Sequence, residues 1–410
     1  MSIYTDAQEI IHSALEACLP DQAVRRALEG KELGSGRVFL VALGKAAWQM
    51  ARCAAELLGP RLEQGVVVTK HGHSQGDIPR CQVFEGGHPV PDEGSFRGTR
   101  AAMELVQDLA PQDTVVLLVS GGGSALFERP LIPAEELAQL TSALLACGAD
   151  IVEMNTVRKR LSAVKGGRFA QLCAPAQVYS IVLSDILGDP LDMIASGPAY
   201  PDRSTCAQAR AIAEKYQLPL SGQARALLDQ ETPKELDNVE TVITGSVREL
   251  CSAAAAACQR LGYETHILTD QLCCQAREAG SFLASIARTH GQEGRSLAFL
   301  AGGETVVLLT GKGLGGRNQE LALSAAEGIS GMENALIFSL GSDGTDGPTD
   351  AAGGIVDGQT RGKLAQAGLT IHQVLADNDA YHALEKVDGL IRTGPTGTNV
   401  NDVAVVLLKG

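Results

Sequence analysis

Short aliphatic runs alternate with longer Ala/Leu/Glu/Arg segments along nearly the whole chain. RVFLVAL (37–43), GVVVTK (65–70), DTVVLLVS (113–120) and QVYSIVLS (177–184) are continuous and rich in β-branched residues. Runs of this length and make-up predict parallel strands buried on both faces, with the intervening segments as helical crossovers. The pattern resumes in VETVITGS (239–246), YETHILT (263–269), SLAFLAGG (296–303), TVVLLTG (305–311), ALIFSLGS (335–342) and VAVVLLKG (403–410). Between the two sets, residues 209–240 are polar and helical with proline breaks, which puts a boundary near residue 240. The expectation is two α/β domains in tandem, residues 1–240 and 241–410, with mainly parallel sheets.

Nearly every expected strand runs into a glycine-containing polar turn: ALGKAA, VSGGGSAL, LSDILGDP, TGSVREL, AGGETV and LGSDGTDG. Ligands of open α/β sheets bind beyond the carboxyl ends of the strands, so these turns predict a polar rim lining one cleft. In SGGGSAL, Ser120, Gly121, Gly122, Gly123 and Ser124 lead from a strand into a helix. Such a turn exposes N–H groups at the positive end of the helix dipole, which suits phosphate oxygens; a plain tight turn is the competing reading. The chain holds no GxxxxGK[ST] loop, and around VALGKAAWQMA only Gly44 occupies a position that G-x-G-x-x-G requires. Lys45 instead stands just beyond a strand, at the first turn of a helix.

GKGLGGRNQELALSAA (311–326) presents Arg317 from a glycine-rich loop at the head of a helix. A planar, permanently charged guanidinium in that position can clamp phosphate, or can close on a nearby carboxylate. SDILGDPLDMIASGP offers Asp185, Asp189 and Asp192, and GSDGTDGPTDAAGG offers Asp343, Asp346 and Asp350. Such turns cap helices, and they also suit Mg²⁺, which takes one or two carboxylates together with phosphate oxygens. His71, His73 and His88 have no acidic or cysteine partner at ligand spacing and read as loop histidines, with His88 placed best to approach a ligand. No G-x-S-x-G elbow is present.

Composition narrows the classes. Over 410 residues the formal charge is −14 and aromatics make up 4%. That argues against a nucleic-acid surface, which needs clustered Lys and Arg, while leaving room for a small anion held by a local focus of positive charge. No apolar run has bilayer-spanning length. The ten cysteines have no zinc-ligand spacing and read as reduced, mostly buried thiols of a cytoplasmic protein.

Taken together, VALGKAAWQMA, GGHPVPDEGS, SGGGSALFERP, NTVRKRLSAVKGGRFA, SDILGDPLDMIASGP, GGETVV, GKGLGGRNQELAL, LGSDGTDGPTDAAG and GPTGTNVNDVAV resemble the class II glycerate kinases, the glycerate 2-kinases, over essentially the whole chain and in the same order. The resemblance implies two Rossmann-like α/β domains with the active site in the interdomain cleft. It implies transfer of the γ-phosphoryl of ATP to the 2-hydroxyl of D-glycerate with a divalent metal such as Mg²⁺. By motif, Lys45 and Arg317 are the pair that holds the transferring phosphoryl, and Ser120–Ser124 is the nucleotide-phosphate loop. His88 and Glu304 join Lys45 and Arg317 as substrate-binding residues. Asp189 is the candidate acceptor for the glycerate hydroxyl proton, and Asp343 and Asp346 are the candidates beside the metal. A homodimer is an expectation from the resemblance alone. A hydroxypyruvate reductase using NAD(P)H and a non-catalytic small-anion binding protein stay as alternatives.

Overall fold

The first set of aliphatic runs pairs as its pattern predicts. In a computed structural model describing residues 2–410, the strands are β1 (Val38–Leu43), β2 (Leu62–Lys70), β3 (Cys81–Gly86), β4 (Thr114–Val119), β5 (Gln177–Leu183) and β6 (Val239–Gly245). They form one sheet in the order β3-β2-β1-β4-β5-β6, and β1 through β5 pair in parallel. β1 and β4 are buried at every position, as continuous aliphatic strands covered on both faces must be. β6, grouped by its place in the sequence with the second set of runs, is the last strand of this first sheet.

The second sheet contains β7 (Glu264–Leu272), β8 (Leu297–Gly303), β9 (Ala335–Gly341), β10 (Gly353–Asp357), β11 (Leu390–Ile391) and β12 (Asp402–Leu408), in the order β11-β10-β9-β12-β8-β7. Most of these strands run in one sense, with β10 and β12 reversed. Within this sheet β12 lies antiparallel between β8 and β9, and among the described residues β7·β8 is the parallel pair. The alternation along β12 still feeds two cores. Val403, Val405 and Leu407 pack with the helices Ile3–Ala17 and Val247–Arg260, and Ala404, Val406 and Leu408 with the helices Ala276–His290 and Arg317–Gly328.

TVVLLTG is not a strand. Val306 makes a single bridge to Gln275, and Val306, Leu308 and Leu309 are exposed. The pairing of this run stops after Val306, whose N–H donates to Cys274 O and whose carbonyl accepts from Ala276 N–H. Its amides turn to side chains: Thr310 and Gly311 donate to Asn378 Oδ1, and Lys312 to Asp377 Oδ1.

The tandem division at 240/241 is corrected at its start. The compact units are Val24–Leu183 with Asp189–Thr244, and Met1–Ala23 with Ser184–Gly188 and Gly245–Gly410. The N-terminal helix Ile3–Ala17 thus belongs with the second sheet. Its buried Asp6 accepts hydrogen bonds from the Tyr263 hydroxyl and Lys409 Nζ, both at 2.7 Å. Among the described residues no helix is long and apolar enough to cross a membrane.

Candidate active-site groups of the two units

In the first unit, the sheet order reverses between β1 and β4, the point at which open α/β sheets leave a crevice for ligands. Gly44–Lys45 leaves β1 there and Ser120–Gly123 leaves β4. The two turns are tied together by hydrogen bonds. Lys45 N–H donates to Gly121 O at 2.8 Å, Ala46 N–H to Ser120 Oγ at 3.1 Å, and Ser120 Oγ to Leu43 O at 3.2 Å. Gly44 has φ +113, and a Cβ on it would lie 2.3 Å from Ser120 Oγ. Its glycine is required by contact between the turns, not by a pyrophosphate.

Gly122 has φ +82, and a Cβ there would come within 3.0 Å of His88 Cδ2 and 3.2 Å of Lys45 Cγ. The expected residues Lys45, His88 and Ser120–Ser124 are therefore neighbours. Burial first, then the charges of Lys45 and Lys70, push the His88 imidazole below its ordinary value, so it stands neutral beside a cation. His71 and His73 are occupied otherwise: His71 Nε2 lies 2.6 Å from Asp92 Oδ2, and His73 Nδ1 3.0 Å from Lys45 O.

The glycine turn rests on a buried cation that sequence reasoning did not single out. Lys165, fully buried, donates to Ser124 O at 2.9 Å and Phe127 O at 3.0 Å, with Glu128 Oε2 at 2.8 Å. Ser124 Oγ lies 2.9 Å from Ser196 Oγ, which donates to Asn155 Oδ1 at 2.9 Å. Asp189, in the segment before Ser196, has φ +51 and a buried Oδ1 without a hydrogen-bond partner among the described residues. Among the described residues no hydrogen bond joins it to Lys45 or the glycine turn.

The second unit builds its site where β8 and β9 end. Because β12 runs antiparallel between them, its first residue, Asp402, lies beside Gly303 and Gly341. Arg317, leading its helix, donates through Nε to Asp402 Oδ2 at 2.5 Å, through Nη2 to Asp402 Oδ1 at 3.0 Å, and through Nη1 to Glu304 Oε1 at 2.7 Å. Burial opposes the guanidinium charge, but the Asp402 bonds and charge, with Glu304, outweigh it and hold the pKa raised. These bonds use three N–H groups of the five a guanidinium carries. Asn401, also unforeseen, donates to Glu304 Oε2 and to Asp185 O, both at 3.2 Å.

The acidic turn after β9 divides into two roles. Asp346 Oδ1 accepts from Asn318 N–H at 3.1 Å and Oδ2 from Gln319 N–H at 2.8 Å, capping the Arg317–Gly328 helix from outside. Burial, opposed by these N–H groups, pushes its carboxyl up to about 6. Both oxygens of Asp346 thus accept N–H groups of the helix it caps. Among the described residues Asp343 Oδ1 accepts the Thr345 N–H alone, at 2.9 Å, and its side chain is half-buried. Among the described residues no three His, Cys, Asp or Glu side chains gather to hold a metal unaided. One carboxylate with phosphate oxygens meets the minimum for Mg²⁺, so Asp343 fits that part.

Comparison with known proteins gives the family. The model of a domain of unknown function, DUF4147, matches residues 6–229, and that of the MOFRL family matches residues 297–402. The D-glycerate 2-kinase of Thermotoga maritima is 52% identical across 98% of this chain and 97% of its own length. The glycerate 2-kinase of Pyrococcus horikoshii is 41% identical across 100% and 98%. A crystal structure of a glycerate kinase from Thermotoga maritima, 52% identical, superposes with a TM-score of 0.95 over 98% of this chain and 99% of that one. The chain belongs to the glycerate 2-kinase family.

Proposed function

We propose that the chain phosphorylates D-glycerate at its 2-hydroxyl with ATP, giving 2-phosphoglycerate and ADP. The observation that carries the reading is the meeting of Lys45, His88 and the Ser120–Ser124 main chain at the reversal point of the first sheet. Main-chain N–H groups there suit phosphate oxygens, and Lys45 supplies a compact positive charge.

Phosphoryl transfer asks little covalent chemistry of a protein; positioning and charge neutralisation do most of the work. Lys45 and Arg317 share the charge that develops on the transferred group. Asp402 and Glu304 fix the Arg317 fork in advance, and two N–H groups remain for a ligand. His88 and Glu304 contact glycerate in this reading. Asp189, whose Oδ1 has no partner among the described residues, accepts the proton of the 2-hydroxyl. A divalent ion at Asp343, when bound, neutralises phosphate charge. The ten free cysteines suit a reducing compartment, the cytoplasm.

Incubation with ATP, Mg²⁺ and D-glycerate tests the reading. Formation of the 2-isomer of phosphoglycerate is expected. NADH consumption with hydroxypyruvate would favour the reductase, and binding of glycerate without any product would leave only an anion-binding protein.

A further inference from the structure

We infer that the cavity between the helices Ile151–Arg158 and Cys206–Lys215 holds the nucleoside of the bound nucleotide, with its phosphates on the glycine turn; this rests on the kinase reading above. The cavity measures about 500 Å³, within the range of small-molecule sites. All of its walls come from the first unit.

Charge says which part of a nucleotide belongs there. Glu153, Asp192 and Asp202 balance Lys159, Arg203 and Lys215 around the cavity. Most of these charges are spent on each other. Lys159 Nζ lies 3.3 Å from Asp192 Oδ2 and 3.2 Å from Asp202 Oδ1, and Lys215 Nζ 2.6 Å from Glu153 Oε1. A triphosphate gains nothing from such a lining, whereas an uncharged base and ribose do. Val152, Met193 and Ile212 supply the apolar wall. Val152 is 57% exposed, an aliphatic surface left open to a planar ring, and the polarisable Met193 sulfur suits a ring face.

Position says why the two parts fit one ligand. Asn155 reaches the cavity wall with its amide, Nδ2 to Met193 Sδ at 3.7 Å, and the glycine turn with its carbonyl oxygen, through Ser196 Oγ to Ser124 Oγ at 2.9 Å for each step. A single asparagine and a single serine thus connect the cavity wall to the glycine turn. One helix therefore serves both ends: Val152 and Thr156 line the cavity while Asn155 and Arg158 face the turn.

The test uses 8-azido-ATP photolabelling of the full chain, with the labelled peptides mapped by mass spectrometry, and ATP titration calorimetry without glycerate. Ala211→Trp and Val152→Trp place a ring in the cavity from surface positions. Labelling within residues 152–159 or 192–215 is expected, as is at least a tenfold weaker ATP Kd in both variants with their melting temperatures retained. Labelling elsewhere, or unaltered ATP binding in both folded variants, overturns the assignment. Both readouts are independent of turnover. A chain that labels here yet forms no phosphoglycerate sinks the glycerate reading alone, and one that turns over with unaltered binding in the variants sinks the cavity alone.

Discussion

Arg317 shows how neighbouring carboxylates fix a single charged side chain in place. Its fork is held on one side by both oxygens of Asp402 and on the other by Glu304, so a lysine put in its place would lose the geometry while keeping the charge. Arg317→Lys and Lys45→Ala are each expected to lower kcat by roughly 100-fold. If both cations act on the same phosphoryl group, the double variant loses less than the product of the two effects. Steady-state kcat for the three variants decides it, and a strictly multiplicative loss would separate the two residues mechanistically. Asp346 makes a different prediction. Its carboxyl titrates near 6 when folded and at its ordinary 3.8 when unfolded, so between those values the folded chain holds the extra proton. Its contribution is complete below 3.8 and is lost as pH rises through about 6, a swing on the order of 3 kcal/mol. The difference in unfolding free energy between wild type and Asp346→Ala should therefore be larger at pH 4 than at pH 7. A flat difference would mean that this carboxyl titrates at its ordinary value in the folded chain. The sequence motifs led to Arg317 and Glu304 but not to Asp402, because a parallel β12 would have carried its first residue to the opposite end of the sheet.

Elements position these residues, and the glycine turn depends most on one of them. Lys165 takes the carbonyls of Ser124 and Phe127 at the end of the short helix Gly123–Leu126, with Glu128 compensating its charge in a fully buried place. Burial pushes its ammonium below the ordinary lysine range while Glu128 opposes the shift. Lys165→Met strands the Glu128 carboxylate and is expected to cost on the order of 3 kcal/mol in urea unfolding. Adding Glu128→Gln should restore part of that stability. It should not restore the KM for ATP, because the two carbonyls still lack their donor. Recovery of both together would make Lys165 a packing residue only. Its role was invisible in NTVRKRLSAVKGGRFA, where one lysine among five cations carries no sign of burial. The strands fared unevenly for a related reason. β1, β4, β5, β8 and β9 are aliphatic enough to read directly, whereas the mixed CQVFEG of β3 and the two-residue β11 are not. TVVLLTG has the composition of a strand, but beyond Val306 its amides are taken by the Asn378 and Asp377 side chains, which is a property of the neighbours and not of the run.

At the scale of the whole molecule the chain returns on itself, and local periodicity cannot report that. The N-terminal helix is amphipathic on sight, but its apolar face does not name the surface it covers. Ala7, Ile10, Ile11, Ala14 and Leu15 are buried in the core shared with Val247–Arg260, β8, β9 and β12. Burying two isoleucines, a leucine and two alanines is worth on the order of 6–8 kcal/mol, comparable with the stability of an entire domain. A fragment of residues 245–410, without the N-terminal helix, therefore exposes that face and should melt without a cooperative transition. The ion pair between Lys409 and Asp6, at 2.7 Å, puts the chain's last residues beside the helix it needs. Joining Gly410 to Ser2 through a flexible linker, in a permuted fragment of residues 245–410 followed by 2–23, should restore a single sharp transition. Calorimetry on the two fragments distinguishes the outcomes. If residues 245–410 alone melt as sharply and as high as the permuted fragment, the helix is an accessory to the second unit and not part of its core.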